Sequence, residues 1–233
     1  GVKMQSLRLK LIADLVDKNS IVADIGTDHG IVPIYLSKEE IGKKVIASDI
    51  SEKSLSKLYE KLELNPQINN IDLRVGNGLN ILKPFEVDTI IISGMGGNLI
   101  EEIIDESLEV AKSSSVMILG ANNAVEQLRR FLHLKGFIIV DEVDLYENDK
   151  YYQILKVKTG LEVYEEDIYY EFGKILIEKK SKNLLKFINE EINSMNNIVE
   201  HLNSINTESS KERLETLDSK LNLYKKVRDM IEA

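Results

Sequence analysis

The sequence predicts an α/β fold: a Rossmann-like, seven-stranded, mostly parallel sheet covered by helices, followed by a C-terminal α-helical coiled-coil hairpin. Three observations predict it. Over residues 1–160, short β-branched runs alternate with amphipathic stretches, the pattern of strands joined by helical crossovers. The last two of those runs are separated only by Glu147-Asn148-Asp149-Lys150, too few residues for a crossover, so they demand an antiparallel hairpin. Through 161–233 there is no Pro and no Gly but Gly173, and apolar residues recur at steps of three and four.

Taken in order, the elements start with a helix at about 5–17, with Leu7, Leu11, Ile12 and Leu15 along one face. Strands are expected at Ile21–Ile25, Lys44–Asp49, Ile71–Val75, Val87–Ser93, Ser115–Leu119, Phe137–Leu145 and Tyr151–Val157. Helices at about 31–40, 51–64, 97–111 and 124–135 alternate with them. Ser51 suits the N-cap of the second of these, because its hydroxyl can accept an unpaired backbone N–H. A parallel sheet that closes on an antiparallel hairpin strand is the arrangement of class I methyltransferases, whereas nicotinamide-binding Rossmann domains usually end differently. In the arm, Leu184, Ile188, Ile192, Met195, Val199 and Leu202 trace one helix face, and Leu214, Leu217, Leu221, Tyr224, Val227 and Ile231 trace another. The polar stretch Asn203–Glu212 should turn the chain between them. The chain therefore divides into a domain at 1–160 and a helical arm at 161–233.

The 233 residues give room for one full α/β domain and an appendage. No apolar run approaches the ~18 residues of a membrane helix, so no membrane partner is expected. The start, Gly1-Val2-Lys3-Met4-Gln5, lacks a cationic stretch followed by an apolar core, so cytoplasm is the expected location. Cysteine is absent, which excludes disulfides and thiolate metal sites. A formal net charge of -9 weighs against a generic nucleic-acid binder, although a local basic face is compatible with an acidic chain. The arm itself carries 11 Lys and Arg against 15 Asp and Glu, a mildly acidic balance that fits a solvated structural hairpin, a substrate contact or a dimer seam. A monomer is favoured, with the oligomeric state left open.

The chemistry concentrates on loops that follow strands. Asp24-Ile25-Gly26-Thr27-Asp28-His29-Gly30 leaves the first strand, and Gly26 and Gly30 can bring backbone close to a ligand. Thr27-Asp28-His29 stands where a dinucleotide fingerprint would place its second glycine. A pyrophosphate needs bare N–H groups there, and Asp24 and Asp28 would repel it. They suit a ligand with an ammonium group, such as the methionine end of S-adenosylmethionine. Asp49 ends the second strand, 25 residues after Asp24, where an acid commonly accepts hydrogen bonds from ribose hydroxyls; it also reads as a plain acid at a helix start. Ile50 follows it as a further cofactor contact. Gly76-Asn77-Gly78 follows the third strand, and the Asn77 amide oxygen could accept a bond from an adenine amino group, or the triplet is simply a turn. Gly94-Met95-Gly96-Gly97 follows the fourth strand, at the edge where open α/β sheets bind ligands. Gly94 and Met95 join the cofactor set with Asp24, Gly26, Gly30, Asp49, Ile50, Asn77 and Gly78. Asn122 and Asn123 follow the fifth strand and could orient a nucleobase or cap the next helix. His133 and His201 lie on helices without partners at metal-ligand spacing, so no metal is expected.

Together these residues resemble the bacterial tRNA (adenine-22-N1)-methyltransferase family. The resemblance spans the whole chain: Leu7-Arg8-Leu9, Asp24-Ile25-Gly26-Thr27-Asp28-His29, Pro33, Gly76-Asn77-Gly78-Leu79, Gly94-Met95-Gly96-Gly97, Asn122, the Asp141-Glu142 to Tyr152 hairpin and the arm. The family often has Gly-Asp-Gly at 76–78, Gln-Pro-Asn at 120–122 and Glu at 49, so of the second block only Asn122 carries over. The resemblance implies S-adenosylmethionine as cofactor in the first domain, and tRNA as the partner that the arm helps engage. It implies methyl transfer to N1 of an adenine, whose own lone pair can attack directly, so that positioning is the enzyme's main task. Asp28, His29 and Asn122 are the candidates to face the target base, with Met95 lining the cleft. A methyltransferase of small molecules or proteins, and a non-catalytic cofactor-binding scaffold acting through its arm, are the competing readings.

Overall fold

A computed structural model describes residues 4–205 and 207–233. The chain forms two compact units, the first ending at Val163 and the second spanning Tyr164–Ala233.

The first unit opens with α1 (Leu7–Asp14), started by Ser6, whose hydroxyl accepts the Leu9 N–H. It is shorter than its apolar pattern suggests, and its buried face centres on Ile12 and Ala13; Leu7 is half exposed. There follow β1 (Ser20–Ile25), α2 (Ile31–Lys38), β2 (Gly42–Asp49), α3 (Glu52–Glu63), β3 (Ile71–Val75), a 3-10 turn (Gly78–Ile81) and β4 (Thr89–Met95). Then come α4 (Gly97–Glu106), α5 (Leu108–Ser113), β5 (Val116–Ala121), α6 (Val125–Leu134), β6 (Phe137–Glu147) and β7 (Lys150–Thr159). The expected single helix over 97–111 is two, broken at Ser107, whose hydroxyl donates to Asn80 Oδ1 at 2.9 Å.

The seven strands lie in the order β3-β2-β1-β4-β5-β7-β6, with β7 antiparallel to both neighbours and the others parallel. Ile90, Ile91 and Ile92 of β4 and all of β5 are buried, as expected of strands covered on both faces. The β6–β7 link is a two-residue turn in which Asn148 and Asp149 both take positive φ, 51° and 60°. Such mirror-image turns match the twist of paired strands, and Asn and Asp tolerate them. Behind it, Arg129 and Glu142, both fully buried, pair at 2.8 Å between α6 and β6. The strand order reverses between β1 and β4, so the loops leaving these strands diverge and open a crevice.

The second unit holds α7 (Asp167–Phe172), α8 (Lys174–Glu178), α9 (Lys182–Ile205) and α10 (Glu208–Glu232). The two short helices were hidden by a sequence pattern dominated by the long pair. Leu184, Ile188, Ile192, Met195 and Leu202 are buried on α9, as are Leu221, Tyr224, Val227 and Ile231 on α10, while Val199, Leu214 and Leu217 are partly covered. The long helices pack on each other. Their connection is tighter than the expected turn at 203–212, and Thr207 and Ser210 form a reciprocal capping box at the start of α10. Asn206, within that expected turn, and residues 1–3 of the expected N-terminal pattern lie outside the described residues. Among the described residues, no helix is long and apolar enough to cross a membrane.

Candidate active site

The crevice is a cleft of about 610 Å³ at the C-terminal edge of the sheet, within the size range of small-ligand sites. The β1 loop forms one wall. Asp24 is buried, and the Thr27 hydroxyl donates to its Oδ2 at 2.7 Å. Burial pushes its carboxyl up to about 6, helped by the nearby Asp49 charge and opposed by the Thr27 bond. The loop is tied to β2 by the Thr27 N–H, which donates to the Ser48 carbonyl at 2.8 Å. Gly26 takes φ +70°, and a Cβ there would meet Met95 Cε at 2.4 Å, so this glycine lets the Met95 side chain lie across the loop.

Asp28 and His29 stand at the mouth, both largely exposed, with His29 Nε2 3.7 Å from Asp28 Oδ1. The Asp28 N–H donates to Asp49 Oδ2 at 3.1 Å, and the Ser51 N–H donates to Asp49 Oδ1 at 2.8 Å. Each carboxylate oxygen of Asp49 therefore has one bond and keeps capacity for another. Ile50 is 73% exposed beside it. Asn77 and Gly78 close the β3 side, and the Asn77 side chain caps nothing at the 3-10 turn.

The Gly94-Met95-Gly96-Gly97 block divides its labour. Gly94 and Met95 belong to the end of β4, at an irregularity in its pairing with β5. Gly94 takes φ +79°, and a Cβ built on it would meet no atom within 4 Å. Gly96 and Gly97, by contrast, pack against Asn123 and Ala124; a Cβ on Gly97 would lie 2.7 Å from the Ala124 carbonyl oxygen. Only the first glycine of the block opens space in the cleft.

Asp24, Gly26, Asp28, His29, Asp49, Ile50, Asn77, Gly78, Gly94 and Met95 all line the cleft. Gly30 does not; it starts α2 in a left-handed conformation with the Leu58 side chain against it. Asn122 stands behind the lining: its N–H donates to the Met95 carbonyl at 2.8 Å, and its Oδ1 accepts from Arg8 Nη1 at 2.9 Å. Neither Asn122 nor Asn123 caps α6, whose N-cap is Ala124 without a side-chain bond. Among the described residues, no group of three His, Cys, Asp or Glu is placed to hold a metal ion.

The profile of the family described as "Methyltransferase domain" matches residues 5–155. A Streptococcus pneumoniae structure titled as a candidate tRNA (m1A22) methyltransferase superposes with a TM-score of 0.88 at 31% identity, covering 97% of this chain and all of that one. This chain belongs to the tRNA (adenine-22-N1)-methyltransferase family. The tRNA (adenine(22)-N(1))-methyltransferase of Bacillus subtilis is 28% identical over 96% of this chain and 97% of its own. The M. capricolum TrmK structure, solved with S-adenosylhomocysteine, aligns over 98% of this chain and all of that one, with 26% identity and a TM-score of 0.82. These similarities run through the helical unit as well as the sheet.

Residues to which the sequence assigned no role at the site also reach the cleft: Arg8 and Leu9 from α1, Ser54 from α3, Ser93 from β4, and Leu99 and Ile103 from α4. The apolar ones read locally as ordinary core positions. Arg8 entered the sequence reading only within the Leu7-Arg8-Leu9 motif of the resemblance, and its place at the cleft was not legible because its partner Asn122 is 114 residues away in the chain.

Proposed function

We propose that this chain transfers the methyl group of S-adenosylmethionine to N1 of adenine-22 in tRNA. The observation that carries the reading is the family's whole-length match combined with a cleft lined by acids at the β1 end and open beside Gly94. The cleft suits the cofactor chemically. Asp24, a buried acid whose ionised form burial disfavours, is suited to a cationic ammonium partner. Asp49 has acceptor capacity for ribose hydroxyls, and Asn77 for the adenine amino group. When bound, the cofactor supplies a methyl group activated by a sulfonium sulfur, which becomes a neutral thioether as the carbon–nitrogen bond forms.

Adenine N1 supplies its own electron pair, so the chain's residues need only orient the base and stabilise the charge that develops on it. Asp28, exposed at the mouth, offers a carboxylate to the cationic product, and His29 beside it offers a contact to the base. Asn122, held by Arg8 and by the Met95 carbonyl, is a fixed amide near the substrate side. N1 lies in the Watson–Crick edge, so the base must be unpaired or flipped out to enter. We assign this chemistry to the unit ending at Val163, and tRNA engagement to the helical unit Tyr164–Ala233. A tRNA substrate also supports a cytoplasmic location.

The test is incubation of unmodified tRNA with methyl-labelled S-adenosylmethionine, followed by nucleoside mapping. Label in N1-methyladenosine at position 22 is expected. Label elsewhere, or only in a metabolite pool, would overturn the substrate assignment while leaving the cofactor assignment standing.

A further inference from the structure

We propose that Asn77 is a site of spontaneous deamidation at the edge of the cleft, shielded when a nucleoside cofactor is bound; the shielding rests on the S-adenosylmethionine reading of the cleft. Asn77 is the one asparagine in the sequence that is followed by glycine. Gly78 has no Cβ to hinder its nitrogen or to restrict the backbone around it. Asn77 is exposed and lines the cleft. Its side-chain amide and the Gly78 N–H make no hydrogen bond among the described residues, so both reacting groups are free.

The reaction needs only these two residues and water. The Gly78 nitrogen attacks Asn77 Cγ, and the new C–N bond closes a five-membered cyclic imide. The Cγ–Nδ2 bond breaks, and ammonia leaves with the proton from the Gly78 nitrogen. Water then adds to one of the ring carbonyls. Cleavage at Cγ leaves Asp at 77, the residue that the family often has there. Cleavage at the backbone carbonyl leaves isoaspartate, whose main chain runs through Cγ and is longer by one methylene. Ring closure requires Cβ and the Gly78 nitrogen to eclipse about the Cα–C bond, and a ψ of 122° at Asn77 holds them apart. The peptide must therefore swing before it reacts. The bond that opposes the swing is a long one, from the Asn80 N–H to the Asn77 carbonyl at 3.3 Å. An adenine bonded to the Asn77 amide adds a second restraint, so the loaded protein reacts through its ligand-free fraction. Asp keeps acceptor oxygens at the seat, whereas isoaspartate displaces the carboxylate and Gly78 together.

Incubation of the whole chain in mildly alkaline buffer, followed by peptide mass spectrometry, tests this. Asn77 is expected to exchange its amide for an acid before any other asparagine, and roughly 10-fold or more slowly under saturating S-adenosylhomocysteine. An Asn77 that keeps its amide while other asparagines lose theirs would overturn the site. An unchanged rate at Asn77, with calorimetry showing S-adenosylhomocysteine bound, would overturn the shielding. Failure of S-adenosylhomocysteine to bind would instead remove the cofactor reading, and the rate in the free protein would still decide the site. Asn77→Asp is the Asp product alone, so aged protein, which also holds isoaspartate, should bind S-adenosylhomocysteine more weakly than that variant. Aged protein that binds as tightly as Asn77→Asp would overturn the harm assigned to isoaspartate.

Discussion

Replacing Asp24 by Asn should make the ligand-free protein more stable and the cofactor site worse. Asp24 is buried, and its carboxyl is raised from 3.8 to about 6. An acid whose pKa is higher in the folded than in the unfolded state favours folding in its protonated form. Its ionisation therefore removes stability as pH climbs from about 4 to about 6, and the whole cost persists above that window. A rise of about two units corresponds to about 3 kcal/mol at neutral pH. An Asn amide oxygen can keep the Thr27 hydroxyl bond without the buried charge. Asp24→Asn should thus raise ligand-free stability by about 2–3 kcal/mol near pH 7, and the advantage should shrink almost to nothing by about pH 4. Urea midpoints of both proteins across that range measure it. In parallel, calorimetry with S-adenosylhomocysteine should show a clear loss of affinity in the variant, because the ligand's ammonium no longer meets a carboxylate. A variant less stable than wild type near neutral pH, or a gap that does not change with pH, would refute the account of the buried charge. Undiminished ligand affinity would separate Asp24 from the ammonium.

Gly26→Ala should destabilise the protein by roughly 1–3 kcal/mol, because the new methyl meets Met95 Cε and φ is positive. Adding Met95→Ala should recover the steric part but not the backbone part, as chemical denaturation of the single and double variants would show. Glu142→Gln should cost several kcal/mol by removing the negative charge from a fully buried ion pair with Arg129, read from the shift in urea midpoint. Asp28→Ala and His29→Ala should lower the rate of tRNA methylation while calorimetric S-adenosylhomocysteine affinity stays near wild type, since both side chains point to the mouth and are largely exposed. Unchanged turnover in both would take them out of the base-facing role. Asp149→Gly should stabilise the β6–β7 turn by a few tenths of a kcal/mol, measured by thermal unfolding, because glycine takes φ 60° without strain.

Much of the architecture was legible because its causes are local. Strand and helix periodicities repeat over a few residues, and the short polar gap Glu147-Asn148-Asp149-Lys150 admits only a hairpin. The loop carboxylates were legible too, since their position after β1 and β2 depends on the strand ends alone. Boundaries set by distant contacts were not. Ser107 breaks a continuous apolar pattern through its bond to Asn80, and nothing in the 97–111 stretch announces Asn80. Gly30 and Gly94 look alike in sequence, yet one packs against Leu58 and the other leaves the cleft open.

The sequence by itself determined the order of strands and helices, the antiparallel end of the sheet, the long helical pair and the acids on the first two loops. Each follows from residue spacing, which the chain carries wherever it goes. Only the tertiary structure decided which glycines line the cleft and which serve packing, because a missing Cβ has meaning only against the atoms it would meet. It alone brought Arg8 beside Asn122 and Tyr152 and left its Nε buried without a partner among the described residues. Side-chain direction and burial arise from the meeting of elements more than a hundred residues apart, and periodicity does not encode that meeting.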